Sequence, residues 1–140
     1  MGNLDAVTIK DIEDHKLITD NELTRDLNDL LRYDASVNTN SFYGNPFLYH
    51  YQLKNLLNCK RTNRKTIYEI YNNKKDWDAL IDSAKKRNRG GKNSANNVFE
   101  CYRINLGSIV MFKATTAKYL YNKYNAKSVL DPTAGWGGRM

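Results

Sequence analysis

The chain has 140 residues, a length typical of one domain, and its 41% hydrophobic content excludes an intrinsically disordered composition. Its formal net charge of +7 favours a polyanionic partner, and nucleic acid is the usual one. No apolar run reaches the length of a membrane span, so we expect a cytoplasmic protein, or one in the host cytoplasm if the source is a virus.

The charge is unevenly distributed along the chain. Residues 1–34 hold nine acidic and four basic residues, a net of −5, so the remainder carries +12. The many lysines, asparagines and tyrosines have A/T-rich codons, and part of the basicity is therefore typical of an A/T-rich genome. We expect the basic remainder, rather than the acidic beginning, to contact DNA.

The first helix that the pattern predicts spans residues 19–33, because the alternation over residues 1–18 is too brief to classify. Thr19 and Glu22 have the spacing of a capping box, in which each side chain binds a free backbone N–H of the first turn. Leucines then recur on one face, at Leu23, Leu27, Leu30 and Leu31. Residues 34–44 are polar and predict a loop.

Three further helical segments follow. Asn45 and Pro46 predict a helix start, with a broad apolar side up to about Asn58. Residues 66–71, which follow a first basic cluster at residues 60–65, have apolar side chains at helical spacing. Asp76 is a plausible N-cap for the next helix, which the glycines at positions 90 and 91 are expected to stop.

The second basic cluster lies at the end of that helix and is the denser of the two. A basic helix end that runs into a glycine-rich loop is suited to a phosphate backbone, because each contact releases counterions. The alternative is a solvated helix end whose cations only offset the helix dipole. The candidate nucleic-acid-binding residues are Lys85, Lys86, Arg87, Arg89 and Lys92.

Two elements are predicted between the basic cluster and the end of the chain. Residues 98–104 suit a strand or a helix, and a possible cap at Ser94 favours the helix. Thr115 or Thr116 can cap the next helix, whose apolar stripe comprises Ala117, Leu120, Tyr121 and Tyr124.

The last thirteen residues read S-V-L-D-P-T-A-G-W-G-G-R-M. An apolar run, Val129 and Leu130, ends on Asp131, and a Gly-x-Gly turn follows, which predicts a buried strand that leads into a cofactor loop. At Gly135 and Gly137 the absence of a Cβ lets the backbone approach a ligand. The alternative is a structural turn that needs glycine for its dihedral angles.

Residues 131–138 resemble the first motif of class I S-adenosylmethionine-dependent methyltransferases. The similarity is greatest to the D-P-F-x-G-x-G form of enzymes that methylate exocyclic amino groups of DNA bases. The sequence departs from that form at Thr133, where the family usually has Phe, and at Trp136, where a small residue is common. The resemblance implies that the cofactor is S-adenosylmethionine, bound by Asp131, Thr133, Ala134, Gly135 and Gly137.

The resemblance also implies parts that these 140 residues lack. The acid that would bind the ribose, expected on the order of 20 residues beyond the motif, is absent, as is the Pro-Pro-aromatic loop of the family. No residue is therefore predicted to be catalytic. In the family, the helix before the first strand often begins with a basic residue and Pro that help to hold the cofactor. Residues 112–115 occupy that place but contain no Pro, so a packing role is favoured for Lys113 and Thr115.

We therefore predict a mainly α chain that leads into the first strand and Gly-rich loop of a Rossmann-like α/β domain. A helical region would span residues 1–92, and residues 93–140 would form the first, incomplete part of a methyltransferase domain. The chain would be inactive alone and would need a carboxy-terminal portion or a complementing chain. The alternative is a non-enzymatic basic helical module that binds nucleic acid or a partner chain. His15, His50, Cys59 and Cys101 have no metal-ligand spacing, so no metal site is predicted.

Overall fold

The computed structural model describes residues 3–60, 63–87, 93–106 and 112–130. Within these ranges the regular structure is helical and contains no strand, so the predicted mainly α character is confirmed. A short 3-10 helix spans Leu4–Ala6. The α-helices are α1 (Ile9–Asp14), α2 (Asp20–Arg32), α3 (Asn45–Asn58), α4 (Ile67–Tyr71), α5 (Lys74–Arg87), α6 (Ser94–Leu106) and α7 (Ala114–Lys123).

Three helices begin with a capping box built on threonine. The predicted box of Thr19 and Glu22 at α2 is confirmed: the Glu22 backbone N–H donates to Thr19 Oγ1, and the Thr19 backbone N–H donates to Glu22 Oε2. Thr8 and Thr66 open α1 and α4 in the same way. These bonds lower the pKa of the Glu22 carboxyl because they favour its charged form.

The predicted starts of the later helices need correction by one to three residues. α5 begins at Lys74, and the side chain of Asn73 accepts from the Asp76 N–H at 3.2 Å, so Asp76 lies in the first turn and is not the cap. For α6, Asn93 rather than Ser94 accepts from the first turn, at 3.0 Å from the Asn96 nitrogen. Both errors arise because several neighbouring residues can serve as caps.

The chain divides into two compact units. Unit 1 comprises Met1–Lys16 and Leu53–Ile109, and unit 2 comprises Leu17–Gln52 and Val110–Met140. The predicted boundary between residues 92 and 93 adjoins residues outside the described ranges and stays a prediction. No helix in the described part of the chain is long and apolar enough to cross a membrane.

Unit 1 contains a well-filled apolar core, in which α5 and α6 pack on each other and α1 and α4 add to them. Phe99, Ile12 and Leu57 are among its fully buried side chains. The buried Asn97 side chain donates to the carbonyl of Ala84 at 3.2 Å, which ties α6 to α5 close to the basic helix end. This core fixes the position of α5, whose last residues are Lys85, Lys86 and Arg87.

Unit 2 combines α2, α7, the first part of α3 and the loop of residues 34–44. The Asp26 carboxylate accepts from the backbone N–H groups of Gly44 and Phe47, both at 3.1 Å, and so stabilises the start of α3. Lys118 Nζ donates to the carbonyls of Leu30, Leu31 and Tyr33, at 2.6–2.8 Å, where α2 ends. These polar contacts join α2 to the start of α3 and to α7.

Candidate functional site

The second basic cluster occupies the carboxyl end of α5. Lys85, Lys86 and Arg87 are exposed and form the last described residues of the helix. Lys85 Nζ donates to the Asp5 carboxylate at 2.7 Å, and this hydrogen bond raises the pKa of Lys85. Arg89 and Lys92 lie outside the described residues. Three of the five predicted DNA-contacting residues are therefore adjacent, and one of the three is engaged by an acid.

A groove of about 300 Å³ lies beside α5 in unit 1 and was missed by the sequence analysis. Arg64 and Lys65, from the segment before α4, line one side, and Ala79 and Leu80 of α5 line the other. Asn63 has a φ of +62°, a left-handed turn that Asn adopts more readily than most residues. The sequence feature that indicates this groove is the first basic cluster, residues 60–65, but the position of that cluster relative to α5 depends on the tertiary fold.

The first turn of α7 binds three successive backbone carbonyls of the loop before α3. Thr115 Oγ1 donates to the Thr39 carbonyl at 2.9 Å, and Thr116 Oγ1 donates to the same carbonyl at 2.7 Å. Lys113 Nζ donates to the Asn40 carbonyl at 2.9 Å. The Thr115 hydroxyl is also within 3.3 Å of the Ser41 carbonyl.

These contacts correct the predicted start of α7 and clarify the roles of its first residues. The helix begins at Ala114, with no side-chain cap, so neither Thr115 nor Thr116 is its N-cap. Their hydroxyl groups instead donate hydrogen bonds to the backbone of the loop before α3. The packing role predicted for Lys113 and Thr115 accords with these contacts, because their polar atoms bind the loop rather than a solvent-facing site.

The carboxyl end of α7 closes with a left-handed residue. Asn125 has a φ of +49°, and the Ala126 N–H donates to the Tyr121 carbonyl at 2.9 Å, the pattern that commonly ends a helix. Val129 and Leu130 follow in neither helix nor strand and are exposed by 52% and 93%. The predicted strand is therefore not confirmed, since a strand needs a paired neighbour and the described ranges contain none.

The five predicted cofactor-binding residues lie outside the described part of the chain. They are Asp131, Thr133, Ala134, Gly135 and Gly137. Their assignment to S-adenosylmethionine stays a prediction that rests on the sequence motif.

A second groove, of about 530 Å³, belongs to unit 2. Phe42 and Tyr43 line it together with three acids, Glu22, Asp26 and Asp29. Glu22 and Asp26 already stabilise the starts of α2 and α3. Two of its three carboxylates therefore have structural roles.

The partly buried groups with shifted pKa values lie in the core of unit 1. Burial lowers the pKa of both His15 and Lys16. His15 Nδ1 lies 2.5 Å from the Ile12 carbonyl, and its ring contacts Phe99 with the centroids 4.9 Å apart. Burial of the His15 ring against Phe99 explains the lowered pKa of this residue without a catalytic role.

Within the ranges that the structure describes, no group of three His, Cys, Asp or Glu side chains is placed to hold a metal ion. No protein-family model, curated protein or solved structure matches the chain.

Proposed function

We propose that the chain is the amino-terminal part of an S-adenosylmethionine-dependent methyltransferase that acts on amino groups of DNA bases in the cytoplasm of a cell or of a viral host. The motif at residues 131–138 carries the proposal, since an acid followed by spaced glycines suits a cofactor that rests against bare main chain. When bound, the cofactor supplies the methyl group, which leaves the sulfonium sulfur for the acceptor nitrogen. The residues of this chain would bind and orient it.

The helix that precedes the motif supports this assignment. α7 is fixed at its start by Thr115 and Thr116 and along its length by Lys118. Because α7 is held in place, the segment that follows it starts from a fixed position, and a binding loop needs such rigid support. Because Lys113 and Thr115 already bind loop carbonyls, contacts to the polar groups of the cofactor are assigned to the motif itself.

The apolar surface of unit 2 supports a larger assembly. In the described part of the chain, twelve of the fourteen exposed large hydrophobic residues belong to unit 2, among them Leu31, Tyr124 and Leu130. Such surfaces usually pack against further protein. A carboxy-terminal portion or a complementing chain that completes the α/β domain would cover them.

The two tryptophans, Trp77 and Trp136, make the cofactor assignment testable by fluorescence. Trp77→Phe leaves Trp136, within the motif, as the single tryptophan. Titration with S-adenosylmethionine is expected to change its emission saturably, and Gly135→Val in the same background is expected to abolish the change, because a side chain would block the approach of the ligand.

The matched control is Trp136→Phe, which retains only Trp77 in α5. Its emission is expected to stay constant over the same titration. An unchanged Trp136 emission up to millimolar cofactor would contradict the assignment of the loop.

Unit 1 favours a second candidate, a non-enzymatic module that binds nucleic acid. This unit holds fifteen basic and nine acidic residues, a net of +6, and has its own apolar core. A chain that binds DNA but gives no Trp136 response to the cofactor would favour this candidate over the methyltransferase.

A further inference from the structure

The residues of α5 line two separate depressions. Lys86 and Arg87 lie seven residues beyond Ala79 and Leu80, which line the groove of unit 1, so they stand two turns further along the same sides of the helix. Lys75 lies four residues before Ala79, again on that side. Asp78 and Asp82 instead line a separate, acidic depression with Asp5. Asp76 also lines the groove, where it pairs with Lys65. The cations on this side of α5 that lie outside the described ion pairs are Lys75, Lys86 and Arg87.

Ion pairs concentrate the remaining positive charge at the groove. Seven of the nine acids of unit 1 form ion pairs with basic residues in the described structure. The exposed bases of unit 1 outside those described pairs are Arg64, Lys75, Lys86 and Arg87. All four border the groove or lie on the α5 face that lines it. In the described part of unit 1, the exposed cations outside these pairs therefore lie at the groove, whereas Arg61, Arg89 and Lys92 lie outside the described residues.

We propose that this basic groove, defined by Arg64, Lys75, Lys86 and Arg87, binds the phosphate backbone of duplex DNA. The inference deepens the proposed function, because it assigns the DNA contact of the same protein. It also extends the predicted site, since Arg64 and Lys75 lie outside the cluster at residues 85–92. Exposed, unengaged cations are the groups that exchange counterions for phosphates.

The spacing of the cations along α5 matches the spacing along the backbone of duplex DNA. Lys75 and Lys86 are eleven positions apart on one helix face, about 17 Å at a rise of about 1.5 Å per residue. The axial rise of about five base pairs is the same length. Arg64 and Lys65 add a second edge across the groove, and Lys65 is held by Asp76. A phosphate strand that follows α5 would meet cations on both sides.

The test is fluorescence anisotropy with a fluorescein-labelled duplex DNA of mixed sequence, measured over a series of KCl concentrations. The variant Arg64→Gln, Lys75→Gln, Lys86→Gln removes three of the four cations. We expect its affinity to fall at least about tenfold at low salt and the magnitude of the slope of log K against log [KCl] to fall by about 2.7, about 0.9 per lost contact. Arg64→Lys, Lys75→Arg, Lys86→Arg is expected to retain binding.

The matched control removes the same charge from exposed lysines that are engaged by acids. Lys10, Lys54 and Lys74 pair with Asp14, Glu13 and Asp78, and their joint replacement by Gln is expected to alter the affinity less than about threefold. Circular dichroism verifies the fold of each variant.

Three outcomes would overturn the inference. Equal losses in the groove and control variants would show that net charge, rather than the groove, governs binding. Absence of wild-type binding at low salt, or a preference of more than about tenfold for RNA of the same length, would also overturn it. None of these results bears on the Trp136 titration, so the cofactor assignment is tested separately.

Discussion

Gly44 shows how a single residue determines the packing of unit 2. Its φ is +81°, and its N–H donates to Asp26. A Cβ at this position would lie 2.8 Å from the Ala114 Cβ and 2.9 Å from Leu30 Cδ2, closer than real side chains approach. Ala114 at the start of α7 and Leu30 of α2 can both pack this close to position 44 only because Gly44 has no side chain.

Gly44→Ala is expected to destabilise the protein by about 2–4 kcal/mol, since it combines a left-handed backbone with a clash against the Ala114 Cβ, which cannot move without its helix. Urea denaturation followed by circular dichroism measures the change. The reciprocal control is Asn125→Gly, at φ +49°, which is expected to be neutral or slightly stabilising. A Gly44→Ala variant as stable as the wild type would show that the strain is relieved elsewhere.

At the scale of the element, the carboxyl end of α2 is capped by a lysine from α7. The last carbonyls of a helix lack partners within the helix, and the helix dipole makes this end negative. Lys118 Nζ supplies three donors, to Leu30, Leu31 and Tyr33, and so serves both purposes with one charge. The alternation of polar and apolar residues predicts both helices but not this contact, which joins residues 85 or more positions apart in the sequence.

Lys118→Met keeps much of the aliphatic length and removes the ammonium group. We expect a loss of about 2 kcal/mol in the free energy of unfolding, the scale of hydrogen bonds to a charged group, because two of the three bonds are partly buried. The matched variant is Lys123→Met, an exposed lysine in the last turn of α7, for which a change below about 0.5 kcal/mol is expected. Equal effects in urea titrations would contradict a capping role for Lys118.

At the scale of the whole molecule, burial and charge are divided between the units. Unit 1 holds fifteen of the nineteen buried hydrophobic residues of the described ranges and +6 of the net charge of +7. Unit 2 holds most of the exposed apolar side chains. The division is consistent with a DNA-binding unit that folds on its own core and a second unit that is completed by further protein.

A hydrophobic dye, 8-anilinonaphthalene-1-sulfonate, measures that difference. Leu27→Gln with Leu31→Gln, one exposed face of α2, is expected to lower the dye fluorescence of the native protein by about a third or more. Tyr71→Gln with Ile104→Gln, the two exposed apolar residues of unit 1 in the described ranges, is the matched pair and is expected to have a smaller effect. A larger effect of the unit 1 pair would show that the apolar surface that binds the dye lies mainly in unit 1.

The sequence by itself predicted the features that depend on neighbouring residues. The capping box at Thr19, the leucine face of α2 and the helix after Pro46 follow from spacings of three or four residues, because helix formation is decided within a turn or two. The glycine motif at residues 131–138 is likewise a local signal, and its cofactor stays a prediction. Helix starts shifted at α5 and α6 because adjacent Asn, Asp and Ser residues compete for the cap, and at α7 because the Thr115 and Thr116 hydroxyls bind a loop carbonyl instead.

Only the tertiary structure decided which distant residues meet. The basic groove forms because packing of α4 on α5 places Arg64 beside Ala79, and the loop carbonyls of Thr39 and Asn40 meet α7 across more than seventy residues of sequence. Which acids neutralise which bases also depends on that packing, so the location of the excess charge cannot be obtained from a count. Contacts of this kind follow from the shape of the whole core, to which every buried side chain contributes, and no local spacing encodes them.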